Sequence, residues 1–284
     1  MKILTFIFSL LSIFVCSQNQ RFVYEYSFRM DSLNRDKVEK EIMNLDVSKD
    51  GSYFYSALLI ARDSLFKAEF EKANAAKSMV LDMRKIKKSK VNFRISKTYP
   101  SFETVYHSML NATNLAIKEV DKIKWTVLSE TETIEKFKAQ KATTTFGGRN
   151  WIAWFTNDIQ IQDGPYKFCG LPGLILTIED DKGDHQFRFV GNQKIEHEQG
   201  LMDSKMKDIF VTKEKFNFLW NEYKKDPAKN IKLIHSSSQM SETLFYNAND
   251  GSPMSKQDLI KGKEERAAES FKKNNNFIEI ALYK

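Results

Sequence analysis

Four histidines, His107, His185, His197 and His235, are the side chains best suited to moving protons near neutral pH, and they stand far apart in the chain. No two share the i, i+4 spacing that puts both imidazoles on one helix face, and no HExxH is present, so a zinc-hydrolase motif is excluded. Glu196-His197-Glu198 gathers three metal-capable groups but reads as an exposed loop. No GxSxG elbow presents a serine, and spacing alone joins no Ser, His and Asp into a triad. Cys169 has no fixed basic or His neighbour in sequence to acidify its thiol and reads as a small buried residue. Neither GxGxxG nor a Walker pattern occurs, and Gly147-Gly148 lacks the companions that phosphate binding needs. No catalytic residue, cofactor or metal ligand is expected.

What remains is a crowd of polar and aromatic residues, Arg149, Trp151, Trp154, Asp163 and Tyr166, which is the candidate ligand or partner surface. Trp151 and Trp154 differ by three positions, so an undistorted strand sends them to opposite faces. Just beyond lies Gly170-Leu171-Pro172-Gly173-Leu174-Ile175, six residues without an ionisable side chain or nucleophile. Its expected role is structural. Pro172 pre-sets φ near −65° at the second position of a type II turn, and Gly173 would take the positive φ of the third.

These residues need elements to hold them. Phe22, Tyr24, Tyr26 and Phe28 alternate, the period of a strand with one aromatic face. Glu41 to Val47 and Ser52 to Ser56, joined through Ser48-Lys49-Asp50-Gly51, form a hairpin pattern. Leu59, Phe66, Phe70, Ala73 and Val80 then follow helical spacing, which predicts an amphipathic helix from Ala57 to Lys87 packed on or beside the aromatic sheet. The basic run Arg84, Lys85, Lys87, Lys88 and Lys90 reads as its solvated end.

Short β-branched and aromatic runs over 91–97, 102–108, 115–120, 124–129, 137–146, 150–156, 174–179 and 186–190 predict strands. Leu174, Leu176 and Ile178 share a face, and Asp180 to Asp184 closes a hairpin. Thr212 caps a helix with Phe216, Leu219, Trp220 and Tyr223 inward, and Ser255 caps another with Ile260, Ala267 and Phe271 inward. Phe277 to Leu282 reads as a final strand. Connections this short between successive strands predict an α+β fold with a mainly antiparallel sheet.

The 284 residues are 42% hydrophobic and 13% aromatic with 22 Phe, a composition that excludes a disordered or low-complexity chain. Lys2 followed by a short apolar run to Val15, with Cys16 and Ser17 before Gln18, reads as a signal peptide over residues 1–17. The run is too short to span a bilayer. Cleavage would remove Cys16 and leave Cys169 alone, so no internal disulfide is expected. Export also argues against nucleic acid as the partner of the formal net charge of +7.

The GLPGLI hexamer stands in a longer block: Trp125, Lys141-Ala142, Gly148-Arg149, Ala153-Trp154-Phe155, Asp163-Gly164-Pro165 and Lys167-Phe168. The block resembles the GLPGLI family of exported proteins, widespread in Bacteroidetes. Asn276-Phe277-Ile278-Glu279-Ile280 is similar to the family's closing Asn-Pro-Ile-Glu-Leu, with Phe277 in place of the usual proline. Gln160 and Ala139 also depart from the family pattern, and the helix from Ala57 has no counterpart in it. The resemblance implies export, a single domain over residues 18–284, and a curved antiparallel sheet similar to the half-barrels of bacterial lipoprotein carriers. It carries over no activity.

Together these features lead to the expectation of an exported cell-envelope protein, in the periplasm, on the outer membrane or outside the cell. Its expected work is non-enzymatic: binding or carrying an apolar or amphiphilic ligand. The alternatives are an accessory protein docking on an outer-membrane complex and, lowest in order, a secreted hydrolase.

Overall fold

The computed structural model of the chain describes residues 19–75, 89–196, 208–234, 245–246 and 253–284. The expected signal peptide, His197, His235, the end of the predicted helix and its basic run apart from Lys90 lie outside these residues.

Twelve strands form one sheet among the described residues. The first group is β1 (Gln20–Phe28), β2 (Glu39–Val47), β3 (Gly51–Ser56), β4 (Phe93–Thr98), β5 (Thr104–Leu110) and β6 (Thr113–Glu119). The second is β7 (Thr126–Ile134), β8 (Phe137–Phe146), β9 (Arg149–Thr156), β10 (Leu174–Asp180) and β11 (His185–Lys194). Each group is an antiparallel meander of chain neighbours, and the two join where β11 pairs with β1. A two-residue strand, β12 (Ile209–Phe210), adds to β6 in parallel. The sheet is therefore open, curved and mainly antiparallel, as the alternation and short connections predicted.

Aromatic alternation builds the seam. Phe22, Tyr24, Tyr26 and Phe28 are all buried, Tyr26 stacks on Phe187 with centroids 4.2 Å apart, and Tyr24 meets Phe54 and Phe189 edge-on. One apolar cluster runs through both meanders, from Ile95 and Tyr106 to Trp151 and Ala153. The intervening residues of β1 face the other side. There Arg21 grips Asp46 with Nε and Nη2, at 2.6 and 2.9 Å, and Tyr55 hydrogen bonds to both partners. Such a buried pair is tolerable because its remaining polar atoms are also satisfied.

The helices are α1 (Ala57–Ala75), α2 (Lys213–Lys225), α3 (Lys229–Ile234) and α4 (Lys256–Lys273). Thr212 caps α2 by accepting from Lys215 N, and Ser255 caps α4 in a reciprocal box with Asp258. In α2, Phe216 is buried, while Leu219, Trp220 and Tyr223 are half-buried. No described helix is long and apolar enough to cross a membrane.

Three expectations require correction. The helix begins at Ala57 as predicted and touches β2 and β3, but only part of its apolar ridge is covered. Leu59 is buried, whereas Phe66 and Phe70 are 43% and 50% exposed and stack on each other. The predicted last strand is absent: Ile280–Tyr283 is a 3-10 turn. Its backbone finds partners outside any ladder, since Phe277 O accepts from Arg149 and Ile280 N donates to Gly147 O.

The third correction concerns Gly173, which lacks the positive φ of a type II turn. The left-handed glycine of the hexamer is Gly170, at φ 90°. Gly173 is required for another reason: a Cβ there would lie 1.9 Å from the carbonyl oxygen of Thr156. The motif brings β10 against the end of β9, closer than any side chain allows. Leu174, Leu176 and Ile178 are buried as expected, but so is Ile175, because the register shifts between Ile175 and Thr177.

Candidate functional site

The loop between β9 and β10 is held by a carboxylate. Asp163 is fully buried and takes hydrogen bonds from Ser52 Oγ (2.5 Å), Gly164 N (2.6 Å), Tyr99 Oη and the Lys97 ammonium. Lys97 also reaches the carbonyl of Gly164 at 2.9 Å. This anchoring places Tyr166, a buried non-glycine residue at φ 55°, under the sheet's concave side. Tyr166 Oη donates to Glu279 Oε1 at 2.5 Å, and Lys167 bridges Glu279 and Glu119. Lys167 also sits 4.8 Å from the centroid of the Tyr106 ring. Burial raises the pKa of Glu119, but Lys167 and Lys213 outweigh it and bring the group below its usual value.

Arg149 performs a related task at the other end. Its guanidinium binds Asp180 at 2.8 Å, Asn276 Oδ1 at 2.5 Å and Phe277 O at 2.8 and 3.0 Å, so it staples the C-terminal segment to the hairpin of β10 and β11. Trp151 is buried against Phe168 with centroids 4.7 Å apart and donates Nε1–H to Phe146 O. Trp154 is half-buried beside Lys141. The two tryptophans do differ in exposure as their spacing predicted, but the five candidates form no common surface. Arg149, Trp151 and Asp163 are buried parts of the scaffold, and Tyr166 is the member of the set that lines the cavity under the C-terminal helices.

That cavity, about 300 Å³, lies between the concave face and the C-terminal helices. Tyr26, Phe28 and Tyr106 line it from the sheet, Trp220 and Phe271 from α2 and α4, and Tyr283 from the terminal turn. Tyr106 and Tyr283 join their hydroxyls at 2.8 Å. Apart from the tyrosine hydroxyls, its ionisable groups are Lys90, paired with Glu39, Glu279, already engaged, and His185, buried at the start of β11; four asparagines and Ser270 add neutral polar groups. The sequence reading missed His185, although His185, Phe187 and Phe189 alternate and so had to share the core-facing side. It also missed the C-terminal wall, because no local pattern brings Phe277 and Tyr283 to Trp220.

A second polar array lies elsewhere on the sheet. Ser96 Oγ is 3.0 Å from His107 Nε2, and His107 Nδ1 is 2.7 Å from Asp208 Oδ2. Burial keeps the His107 pKa below its ordinary value, which leaves the ring neutral near pH 7. The connectivity is that of a nucleophilic triad. The surroundings are not, since Ser96 lies mid-strand, in register with Tyr53 on one side and Val105 on the other. Backbone N–H groups there are committed to the ladders and are not free to stabilise an oxyanion. The array instead ties the entry of β12 to the sheet. Cys169 lies in a smaller cavity beside Lys167, and burial pushes its thiol up to about 11, an unreactive state near neutral pH. No cluster of three or more metal-capable side chains occurs among the described residues.

Fold and cavity thus define an open antiparallel sheet whose aromatic concave side is roofed by helices. A profile described as a protein of unknown function (Porph_ging) matches residues 106–177, which run from within β5 through β9 and the Asp163 loop to the first half of β10. Two solved structures of PNGF-II, in C2 and P21 crystal forms, are similar at 16% identity, with TM-scores of 0.49 and 0.45. They cover 72% and 69% of this chain, which in turn spans about a third of theirs, 32% and 31%. No curated protein matches the chain.

Proposed function

We propose that the chain is a GLPGLI-type protein of the cell envelope, exported by a signal peptide over residues 1–17 and folded as one domain over 18–284. Its work is to bind or carry a small apolar or amphiphilic ligand without chemical change. The observation that supports this reading is the cavity of about 300 Å³ walled by tyrosine, phenylalanine and tryptophan on the concave side of the sheet. Its size is at the small end of ligand sites, about ten water volumes, and suits a ring or short chain more than a whole phospholipid.

Native mass spectrometry of protein isolated from its own envelope tests this directly. The expected spectrum shows a mature chain starting at Gln18 with a retained small molecule. A bare polypeptide that also fails to bind apolar fluorescent probes overturns the binding reading, and an intact Met1 overturns export by cleavage. A docking role on an outer-membrane complex has one observation of its own: Ile209 and Phe210, on the edge strand β12, are 55% and 63% exposed.

A further inference from the structure

His185 is 2% exposed, and its Nε2 is a buried polar atom without a hydrogen-bond partner. Its other ring nitrogen, Nδ1, lies 2.7 Å from Tyr26 Oη. Burial raises the Tyr26 pKa far above its ordinary value, so the phenol keeps its proton, and Nδ1 is the acceptor that the structure places within its reach. Burial and the nearby Arg149 charge push the His185 pKa down to about 3, so the ring is neutral. A neutral imidazole that accepts at Nδ1 carries its proton at Nε2. The backbone of Asn276 and Phe277 lies close enough to the ring to favour its N–H, although Nε2 closes no hydrogen bond with either. Phe277 O is already taken by two bonds from Arg149.

An unmet donor in a closely packed aromatic wall is destabilising unless something arrives to accept from it. His185, Asn276 and Phe277 all line the cavity. We propose that His185 is the polar anchor of the cavity, its Nε2–H donating to the hydroxyl of an uncharged aromatic or alicyclic alcohol or phenol. The hydroxyl is the group that fits both neighbours, because it accepts from Nε2 and returns its own proton toward the Asn276 carbonyl. A carboxylate would face these carbonyls and Glu279, and Lys90, the cation among the lining groups, is already paired with Glu39. This inference rests on the binding reading above and narrows it to a ligand class.

The test uses two probes of nearly equal shape, 1-naphthol and 1-methylnaphthalene, with the folded wild-type chain, His185→Asn and His185→Gln. Asn keeps an amide near the Nδ1 position, as a partner for Tyr26, and withdraws the Nε2 donor; Gln carries an amide N–H close to the Nε2 position. Affinities are read from calorimetry, and thermal melting shows that each variant is folded. The quantity that decides is the ratio of the two affinities, because the difference in probe hydrophobicity then cancels between variants. Asn should shift the ratio about tenfold against 1-naphthol, the equivalent of 1.4 kcal/mol, and Gln should restore most of it. Should Asn fail to fold, Gln against His185→Phe makes the same comparison. Equal ratios in all variants that bind both probes overturn the anchor and leave the cavity reading standing; failure of both probes to bind the wild type overturns both.

Discussion

Two glycines of one hexamer are constrained in opposite ways, and a methyl group tells them apart. At Gly170 the backbone is left-handed but the space is open, so Gly170→Ala should cost about 1 kcal/mol of backbone strain. At Gly173 the backbone is ordinary, but the added carbon would meet the Thr156 carbonyl and wedge β9 from β10, so Gly173→Ala should cost about 3 kcal/mol or more. Urea unfolding of the two variants checks the order. A second prediction concerns acid. An unfolded histidine protonates as pH falls through about 6.5, while buried His185 resists to about 3. Between those values the unfolded chain binds more protons, so stability rises with pH and is lost as pH falls. The slope from this group is on the order of 1.4 kcal/mol per pH unit. His107, also held below its ordinary value, contributes with the same sign. Stability measured by urea titration from neutral pH into this window should decline, and His185→Gln should flatten the decline.

At the scale of elements, the roof of the cavity depends on one guanidinium more than on helix propensity. The segment after α4 makes no strand, and its carbonyl and amide oxygens at Phe277 and Asn276 are held by the fork of Arg149. A lysine cannot reproduce that fork, having a single ammonium in place of a planar array of donors. Arg149→Lys should therefore destabilise the fold by about 2 to 3 kcal/mol. Its signature is local: hydrogen exchange should quicken first in 276–283 and in the hairpin turn at 181–184, with β4 and β5 affected least. The candidate surface at Arg149, Trp151 and Asp163 thus has a structural explanation. These residues place Tyr166 and the C-terminal wall, and it is that wall which shapes the cavity.

Taken whole, the molecule depends on the seam where β1 lies between β2 and β11. Each meander is built from chain neighbours, the strand pairing that joins them is that of β1 with β11, and their aromatic residues merge into one cluster. Glu25→Pro, on the seam but away from the aromatic face, would remove a ladder hydrogen bond from a strand paired on both sides, at a cost of about 3 kcal/mol or more. With one shared core, amide protection in β3 to β5 and in β8 to β9 should fall together; loss confined to one meander would show two units. Much of this architecture was legible locally. Alternating aromatics, Thr212 and Ser255 caps and the turn at Asp180 to Asp184 are decided by neighbours a few residues away, so the chain by itself specified β1 to β11 in outline, the starts of α1, α2 and α4 and the face of β1 that is buried. It could not specify the order in which β11 meets β1, the left-handed turn at Gly170 in place of Gly173, or the 3-10 ending. Nor could it show that His185, Tyr26, Trp220 and Tyr283 enclose one space. Those depend on contacts between residues far apart in sequence, where backbone carbonyls, a buried arginine and the curvature of the sheet decide what local preference leaves open.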